Sequence, residues 1–248
     1  MARKSQQQLR IERLLRKQSG AIEKAILEAI AKAKPNVDRA ALIRFLEQGD
    51  IERAVQLFRI ERGVLFPLEN AIRDALIGGG LAAIDDLPKG LAGRFGFDGN
   101  HSRAVALAQQ QAASLVTYVS DDAIASARKI IVEGLETNRS IKATARDLAG
   151  RRVGRRRVGG IIGLTEQQTD RMINLRSMLS DPDRVKEYFK GSKPRYKESN
   201  RRLDGLVRKA LKEGRALRPA EIERITEAYK VKATGARAKR VAENEAFT

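Results

Sequence analysis

The chain has 248 residues, of which 42% are apolar and only 4% aromatic, and it contains no cysteine and one histidine. Disulfides and thiolate metal sites are therefore excluded, and a histidine-based catalytic triad is disfavoured. The 49 Lys and Arg against 31 Asp and Glu give a net charge of +18, and charges interrupt every apolar run, so we expect no membrane span and no secretory leader.

The composition favours an all-α fold of several helices, extended or two-lobed, because its commonest residues are good helix formers. Residues 5–33 predict a long amphipathic helix that ends at Pro35. Its apolar positions recur at spacings of seven and four: Leu15, Ile22, Ile26 and Ile30. Asp38 is placed to cap a second helix, which reaches Gln48.

A third helix is predicted over residues 51–77, with a kink at Pro67. The three glycines at 78–80 indicate a break, which we interpret as the best domain boundary. Residues 1–77 are thus predicted to be an N-terminal helical docking region, and residues 78–100 a Gly-rich linker.

The segment 101–149 is predicted to be helical. Its helices are expected over residues 102–119, 121–134 and 140–148. Residues 150–164 combine arginine with glycine and predict a hinge, which could form a short β-hairpin near 153–164 through its β-branched residues.

Residues 165–248 predict a basic C-terminal helical region that opens with a capping box from Thr165 to Gln168. Further helices are expected from apolar spacing and from Pro and Gly boundaries, over residues 181–189, 203–211, 219–229 and 234–248. The last of these has no C-cap, which we interpret as the truncated end of a longer chain.

The positive charge is concentrated after residue 145. Residues 146–248 hold 27 Lys and Arg against 14 Asp and Glu, whereas residues 1–145 hold 22 against 17. Such a surplus predicts a polyanionic partner, and non-specific contact with double-stranded DNA is the leading hypothesis. Docking on an acidic protein face and an inert basic linker are the alternatives for the arginine-rich run.

The residues predicted to contact DNA fall in two runs. The first is Arg146, Arg151, Arg152, Arg155, Arg156 and Arg157, and the second is Lys190, Lys193, Arg195, Lys197, Arg201 and Arg202. Tyr188 and Phe189 accompany the second run and are expected to pack in the core rather than to stack on bases. No zinc-finger, basic-zipper or RNA-recognition spacing is present in the sequence, so we expect no sequence-specific readout.

Candidate catalytic groups are sparse. Asp85 with Asp86 and Asp121 with Asp122 are adjacent pairs, whose side chains point apart on a helix, and Asp121 stands where a helix cap is wanted. His101 is expected to be a cap or a surface residue. We therefore predict no metal site, no cofactor and no enzymatic activity.

Three short sequence stretches, taken in their order along the chain, are characteristic. The first lies within residues 97–148 and includes the step LVTYVSDD at 115–122, and the second is IGLT at 162–165, which leads into NLR at 174–176. The third begins at residue 210 and ends in a terminal motif made of Arg237, Val241, Ala242, Glu243 and Glu245. Over roughly residues 95–248 this order resembles the Mu-F-like head-morphogenesis (minor head protein) family of tailed bacteriophages.

The resemblance implies a low-copy structural component of the virion that aids head assembly and contacts packaged DNA or is delivered with it. It implies portal or capsid proteins and double-stranded DNA as partners. The expected location is the virion, at the head interior or portal vertex, after synthesis in the host cytoplasm. A cytosolic helical nucleic-acid-binding protein without a virion role is the alternative.

Overall fold

The computed structural model describes residues 5–85, 102–154 and 156–247. Within these ranges the chain consists of α-helices with two short antiparallel strand pairs, which confirms the all-α prediction. None of the described helices is both long enough and apolar enough to cross a membrane.

The chain divides into two compact units, each assembled from segments that are distant in sequence. The first unit comprises Met1–Ala33, Ile60–Tyr118 and Ala238–Thr248, and the second comprises Lys34–Arg59 and Val119–Arg237. These units differ from the consecutive regions expected from the sequence, because residues 34–59 belong with the second unit.

The first unit is built mainly on two helices, α1 (Gln6–Ala33) and α4 (Phe66–Asp85). Its buried apolar residues include Ile22, Ile26 and Ile30 of α1, which confirms the predicted spacing. The first part of α5 (Ser102–Glu136) and the last part of α9 (Pro219–Phe247) also belong to this unit.

The break predicted at residues 78–80 is wrong, because α4 runs through all three glycines to Asp85. A Cβ on Gly78 would lie 2.7 Å from Gln18 Nε2, so the missing side chain lets α1 approach α4 closely. Lying over Gly78, Gln18 Nε2 donates a hydrogen bond to the carbonyl oxygen of Ala75, 2.8 Å away. The remainder of the predicted linker, residues 86–100, lies outside the described residues.

The helix predicted over residues 51–77 is in fact divided. α3 (Ile51–Gln56) ends early, and a 3₁₀ turn, Arg62–Leu65, precedes α4. Pro67 therefore occupies the first turn of α4, where its missing N–H costs no hydrogen bond, and it does not kink a longer helix.

The second unit holds α2 (Arg39–Glu47), α3, α6 (Ile141–Ala149), α7 (Glu166–Ser180) and α8 (Asp204–Lys212), with parts of α5 and α9. Two predicted caps are confirmed: Asp38 on α2, and the capping box of Thr165 with Gln168 on α7. Ser140, expected only as the start of a helix, caps α6 through a hydrogen bond from Ala143 N. The buried side chains of this unit include Ile130, Leu148, Leu164, Met172 and Tyr229.

At two predicted helix boundaries, both within the described residues, the chain stays helical. α5 continues through residues 120–122, and α9 continues through residues 230–233. Ser120 is buried there, and Asp122 accepts a hydrogen bond from Glu166 N at the start of α7, so Asp122 serves a tertiary contact instead of starting a new helix.

The predicted hairpin is confirmed and starts two residues earlier than expected, as β1 (Arg151–Val153) and β2 (Arg156–Val158). A second pair, β3 (Phe189–Lys190) and β4 (Lys193–Pro194), follows the 3₁₀ turn Val185–Tyr188. This turn replaces the helix predicted over residues 181–189, because Asp181 Oδ1 accepts from Asp183 N and holds the chain in a turn.

The segment 150–164, predicted as a hinge, is packed over much of its length. Residues 159–164 are all buried, and Ile161 N donates to the carbonyl of Leu148 at 3.0 Å. Buried backbone with such hydrogen bonds is fixed structure, so the hinge interpretation is wrong for the part of this segment that follows the hairpin.

Candidate nucleic-acid interface

The arginine-rich run forms the β1–β2 hairpin, and Gly154, directly after β1, has φ 59°. Arg151 and Arg152 are exposed on β1. Arg152 lies directly opposite Arg157 in the strand register. The hairpin therefore carries part of the predicted run as an exposed cationic surface.

The remaining arginines of the first run differ in their surroundings. Arg146 lies on α6 with its Nε 3.5 Å from Glu223 Oε1. Arg157 is half-buried, and its Nη1 donates to the carbonyl of Val37 at 2.9 Å. Arg155 lies outside the described residues, as does the side chain of Arg156.

The base of the hairpin is held by α9. Gly159 has φ 78°, and a Cβ there would lie 2.8 Å from Glu227 Cδ, so the Glu227 carboxylate rests on the glycine backbone. Lys230 Nζ, almost fully buried, donates to Glu227 Oε1 at 2.8 Å. This contact fixes the position of the hairpin base against α9 within the second unit.

The second run forms an exposed surface that we name the basic loop. It consists of Lys190, Lys193, Arg195, Lys197, Arg201 and Arg202, all exposed. Lys190 and Lys193 are opposite one another in the β3–β4 pair. Within the described part of the chain none of the six forms an ion pair with a carboxylate, so their charge faces solvent.

The aromatic residues beside the basic loop belong to the protein interior. Tyr188 is 1% exposed and its hydroxyl donates to Asp204 Oδ1 at 2.9 Å, which confirms the expectation for this residue. Phe189 is half-buried, and the guanidinium of Arg208 lies 4.6 Å from its ring centre. Tyr196 accepts from Asn174 Nδ2 at 2.8 Å. The basic loop thus offers charge rather than free stacking surfaces.

The hairpin and the basic loop contact α9 on different sides. The hairpin base meets Glu227, whereas Tyr196 stacks edge-on against Tyr229 at 6.1 Å, and Lys232 Nζ donates to the carbonyl of Ser199 at 2.6 Å. At 3.6 residues per turn, the side chains of Tyr229 and Lys232 point about 160° and about 140° away from that of Glu227 around the helix axis. The two predicted runs therefore do not merge at α9.

The sequence analysis missed a buried ion network in the second unit. Arg176 donates to Asp147 Oδ2 at 2.5 Å and to Glu133 Oε2 at 2.8 Å, and Arg139 Nη2 lies 2.8 Å from Asp147 Oδ2. Lys230 Nζ is 3.6 Å from Asp147 Oδ1. Burial is the main cause that lowers the pKa of Arg139, while the Asp147 charge opposes it. No local pattern could reveal this network, because its members come from four helices and the turn before α6.

The terminal motif is split between buried contacts and surface. Arg237 Nη2 pairs with Asp122 Oδ2 at 2.6 Å, and its Nη1 donates to the carbonyl of Leu164 at 2.9 Å. Ala242 is buried and Val241 half-buried, whereas exposed Glu243 lies 3.9 Å from Lys239 Nζ. Arg237 thus serves tertiary contacts, whereas Glu243 faces a cation of its own helix.

No group of three or more acidic or histidine side chains in the described ranges is placed to hold a metal ion. Asp85 forms a 2.5 Å ion pair with Arg10, and Asp122 is engaged by Arg237 and Glu166 N. Asp86 and His101 lie outside the described residues.

Comparison with protein-family models, with curated proteins and with solved structures gives no match to this chain. The likeness to the Mu-F-like family therefore stays a prediction, and so do the roles assigned to its terminal motif. What the chain itself offers is a cationic hairpin and a basic loop on one compact unit.

Proposed function

We propose that this chain is a structural component of a tailed-bacteriophage virion, a minor head protein associated with the portal or the capsid interior. In this role it contacts packaged DNA without sequence preference, or is delivered with it. The observation that carries the proposal is the basic loop, whose six cations face solvent without a described carboxylate partner. The ordered resemblance over residues 95–248 supplies the biological setting.

The chemistry of the basic loop suits phosphate rather than base edges. Its cations lie on a strand pair, a loop and the 3₁₀ turn Arg201–Leu203, and not along one helix that could enter a major groove. Each phosphate that a Lys or Arg neutralises releases condensed counterions, so six contacts give a salt slope of about −5 in a log–log plot. Binding of this kind is strong in a DNA-filled head and carries no sequence information.

The DNA contact is tested by removing five charges from the basic loop. The variant is K190Q, K193Q, K197Q, R201Q and R202Q combined. A matched control removes five exposed charges from α1: R13Q, R16Q, K17Q, K24Q and K32Q. The dissociation constant for a short duplex of mixed sequence is measured by fluorescence anisotropy between about 50 and about 200 mM salt.

We expect the basic-loop variant to bind at least about a hundredfold more weakly at low salt and to lose about 4 from the magnitude of its salt slope. The control should keep most of the wild-type slope. Equal losses in both variants would show that total charge, and not the basic loop, governs binding.

The virion role is tested separately from DNA binding. Intact particles produced by the genome that encodes the chain are treated with nuclease and protease, and their proteins are identified by mass spectrometry. We expect the chain to be protected inside the particles at low copy number. Its absence from them, together with salt-dependent DNA binding, would favour the cytosolic nucleic-acid-binding alternative.

A further inference from the structure

Three arginines gather where the hairpin meets the start of α2. Arg152 and Arg157 are direct cross-strand partners on β1 and β2. The hydrogen bond from Arg157 Nη1 to the carbonyl of Val37 brings this guanidinium to the turn before α2, whose first residue is Arg39. Residues from two distant parts of the sequence therefore form one cationic cluster.

This arrangement is unfavourable for the protein alone. Like charges directly opposite one another on paired strands repel. The surroundings act in the same direction, because burial, then the charges of Arg39 and Arg152, lower the pKa of Arg157. Asp38 is the acidic neighbour of the cluster, but its Oδ1 accepts from Ala40 N and Ala41 N as the cap of α2.

Arg39 adds an unsatisfied donor to this cluster. Its Nε is buried and has no hydrogen-bond partner among the described residues. Buried donors are almost always satisfied in folded proteins, so a persistent exception calls for a missing acceptor. An anion that accepts from Arg39 would also reduce the repulsion between Arg152 and Arg157.

We propose that Arg39, Arg152 and Arg157 form a binding site for a single phosphate group. Guanidinium groups present planar, fixed donor forks that match phosphate oxygens, which favours phosphate over a halide ion. The inference rests on the proposed function and deepens it, because it assigns one discrete anchoring point for a phosphodiester of DNA. The same site would accept free inorganic phosphate.

The test compares inorganic phosphate with chloride at matched ionic strength, so that general screening is the same in both titrations. The full chain and three variants, R152Q, R39Q and R44Q, are followed by thermal denaturation and by isothermal titration with phosphate. Arg44 is the matched control, since it is an exposed arginine of the same helix α2.

For the wild type we expect saturable stabilisation by phosphate beyond that given by chloride. R39Q and R152Q should weaken phosphate binding by about tenfold or more, the scale of one lost charge-assisted hydrogen bond, and R44Q should leave it unchanged. R152Q should also raise the melting temperature in chloride, because it removes the repulsion with Arg157. A purely structural role for Arg152 would lower that temperature.

A second measurement identifies the source of the phosphate. If R39Q also weakens binding of a short DNA duplex relative to R44Q, the site holds a backbone phosphodiester; if only inorganic phosphate is affected, it holds a free anion. Wild-type phosphate affinity in both R39Q and R152Q would overturn the site. That result leaves the basic loop as the DNA contact, so it is distinguishable from a failure of the proposed function.

Discussion

Gly159 connects the cationic hairpin to the interior of the second unit. Its φ of 78° is unfavourable for any residue with a side chain, and its missing Cβ leaves space for the Glu227 carboxylate. Gly159→Ala should therefore lower the free energy of unfolding through two separate contributions. We expect about 1–2 kcal/mol from the backbone conformation and about 1–3 kcal/mol from the overlap with Glu227.

Gly154→Ala is the control for this substitution. Gly154 also has positive φ, 59°, but a Cβ there meets nothing within 4 Å, so only the backbone cost applies. Urea denaturation of both variants gives the two free energies. Equal losses of unfolding free energy in G154A and G159A would contradict this argument, because they would mean that a Cβ at residue 159 does not disturb the Glu227 carboxylate.

Asp147 is the centre of the buried ion network. Its carboxylate is contacted by Arg176, Arg139 and Lys230, so Asp147→Ala leaves three cations without their common counter-charge. We expect a loss of about 3–5 kcal/mol in the free energy of unfolding. Lys209→Gln, which removes an exposed partner 3.9 Å from Glu213, should cost about 0.5 kcal/mol or less, and urea denaturation compares the two. Similar small losses in both would contradict a structural role for the network.

The surroundings of Glu245 predict how the stability of the folded chain changes with pH. It lines an apolar cavity of about 510 Å³ beside residues of α1 and α4, and burial raises its pKa above the usual 4.5. The folded chain therefore holds this proton more tightly than the unfolded chain does. Stability from this group is present below pH 4.5 and is lost as the pH rises through the folded-state pKa.

Glu245→Gln should accordingly be more stable than the wild type at neutral pH, with the difference vanishing below about pH 4, where the glutamate is neutral. Thermal denaturation between these pH values measures the difference. Glu243→Gln provides the control, because Glu243 is exposed on the same helix. A neutral-pH melting temperature of E245Q at or below that of E243Q would refute the burial argument.

The starts of helices were predictable from the sequence where the capping residue and the backbone group that it binds lie within a few residues of each other. Asp38, Ser140 and Thr165 cap their helices with side chains that reach two or three residues along the chain, and such signals are complete in the sequence. The continuity of α4 and α5 was not predictable. At the expected breaks the helices make contacts with distant segments, Gln18 against Gly78 and Arg237 with Asp122, and such contacts are not contained in any local pattern.

Of the two cationic surfaces, the sequence predicted what depends on local charge density and not what depends on contacts between distant residues. Charge density alone marked the basic loop, and its six members are all exposed. In the hairpin, side chains alternate between faces, so adjacent arginines cannot form one uniform patch. Arg157 turns to the carbonyl of Val37, 120 positions away, and comes within the electrostatic influence of Arg39, which no local pattern contains.

Most of the surplus positive charge belongs to one of the two compact units. The second unit holds 34 Lys and Arg against 20 Asp and Glu, a net charge of +14, whereas the first holds 15 against 11. Both cationic surfaces lie on this second unit. Electrostatic attraction to DNA should therefore be a property of residues 34–59 and 119–237, and the control substitutions in α1 should matter little.

The placement of the hairpin and the basic loop on different sides of α9 predicts two DNA contacts per chain. A short straight duplex that covers one side of α9 leaves the other side available to a second duplex, since Glu227 and Tyr229 point about 160° apart around the helix axis. Two-sided binding of this kind would bridge neighbouring duplexes of a tightly packed genome.

Isothermal titration with a short duplex at low salt should thus give a stoichiometry of two duplexes per wild-type chain. Neutralising the hairpin with R151Q and R152Q should reduce the stoichiometry to one and leave the affinity of the basic loop largely unchanged, as expected for independent sites. The basic-loop variant should also bind one duplex, but only through the hairpin, whose two exposed arginines make it the weaker site, in line with the loss of about a hundredfold in affinity expected above. The α1 control variant should still bind two. If the wild type binds one duplex and either neutralisation weakens that single event, the two surfaces act on the same DNA and the bridging arrangement is wrong.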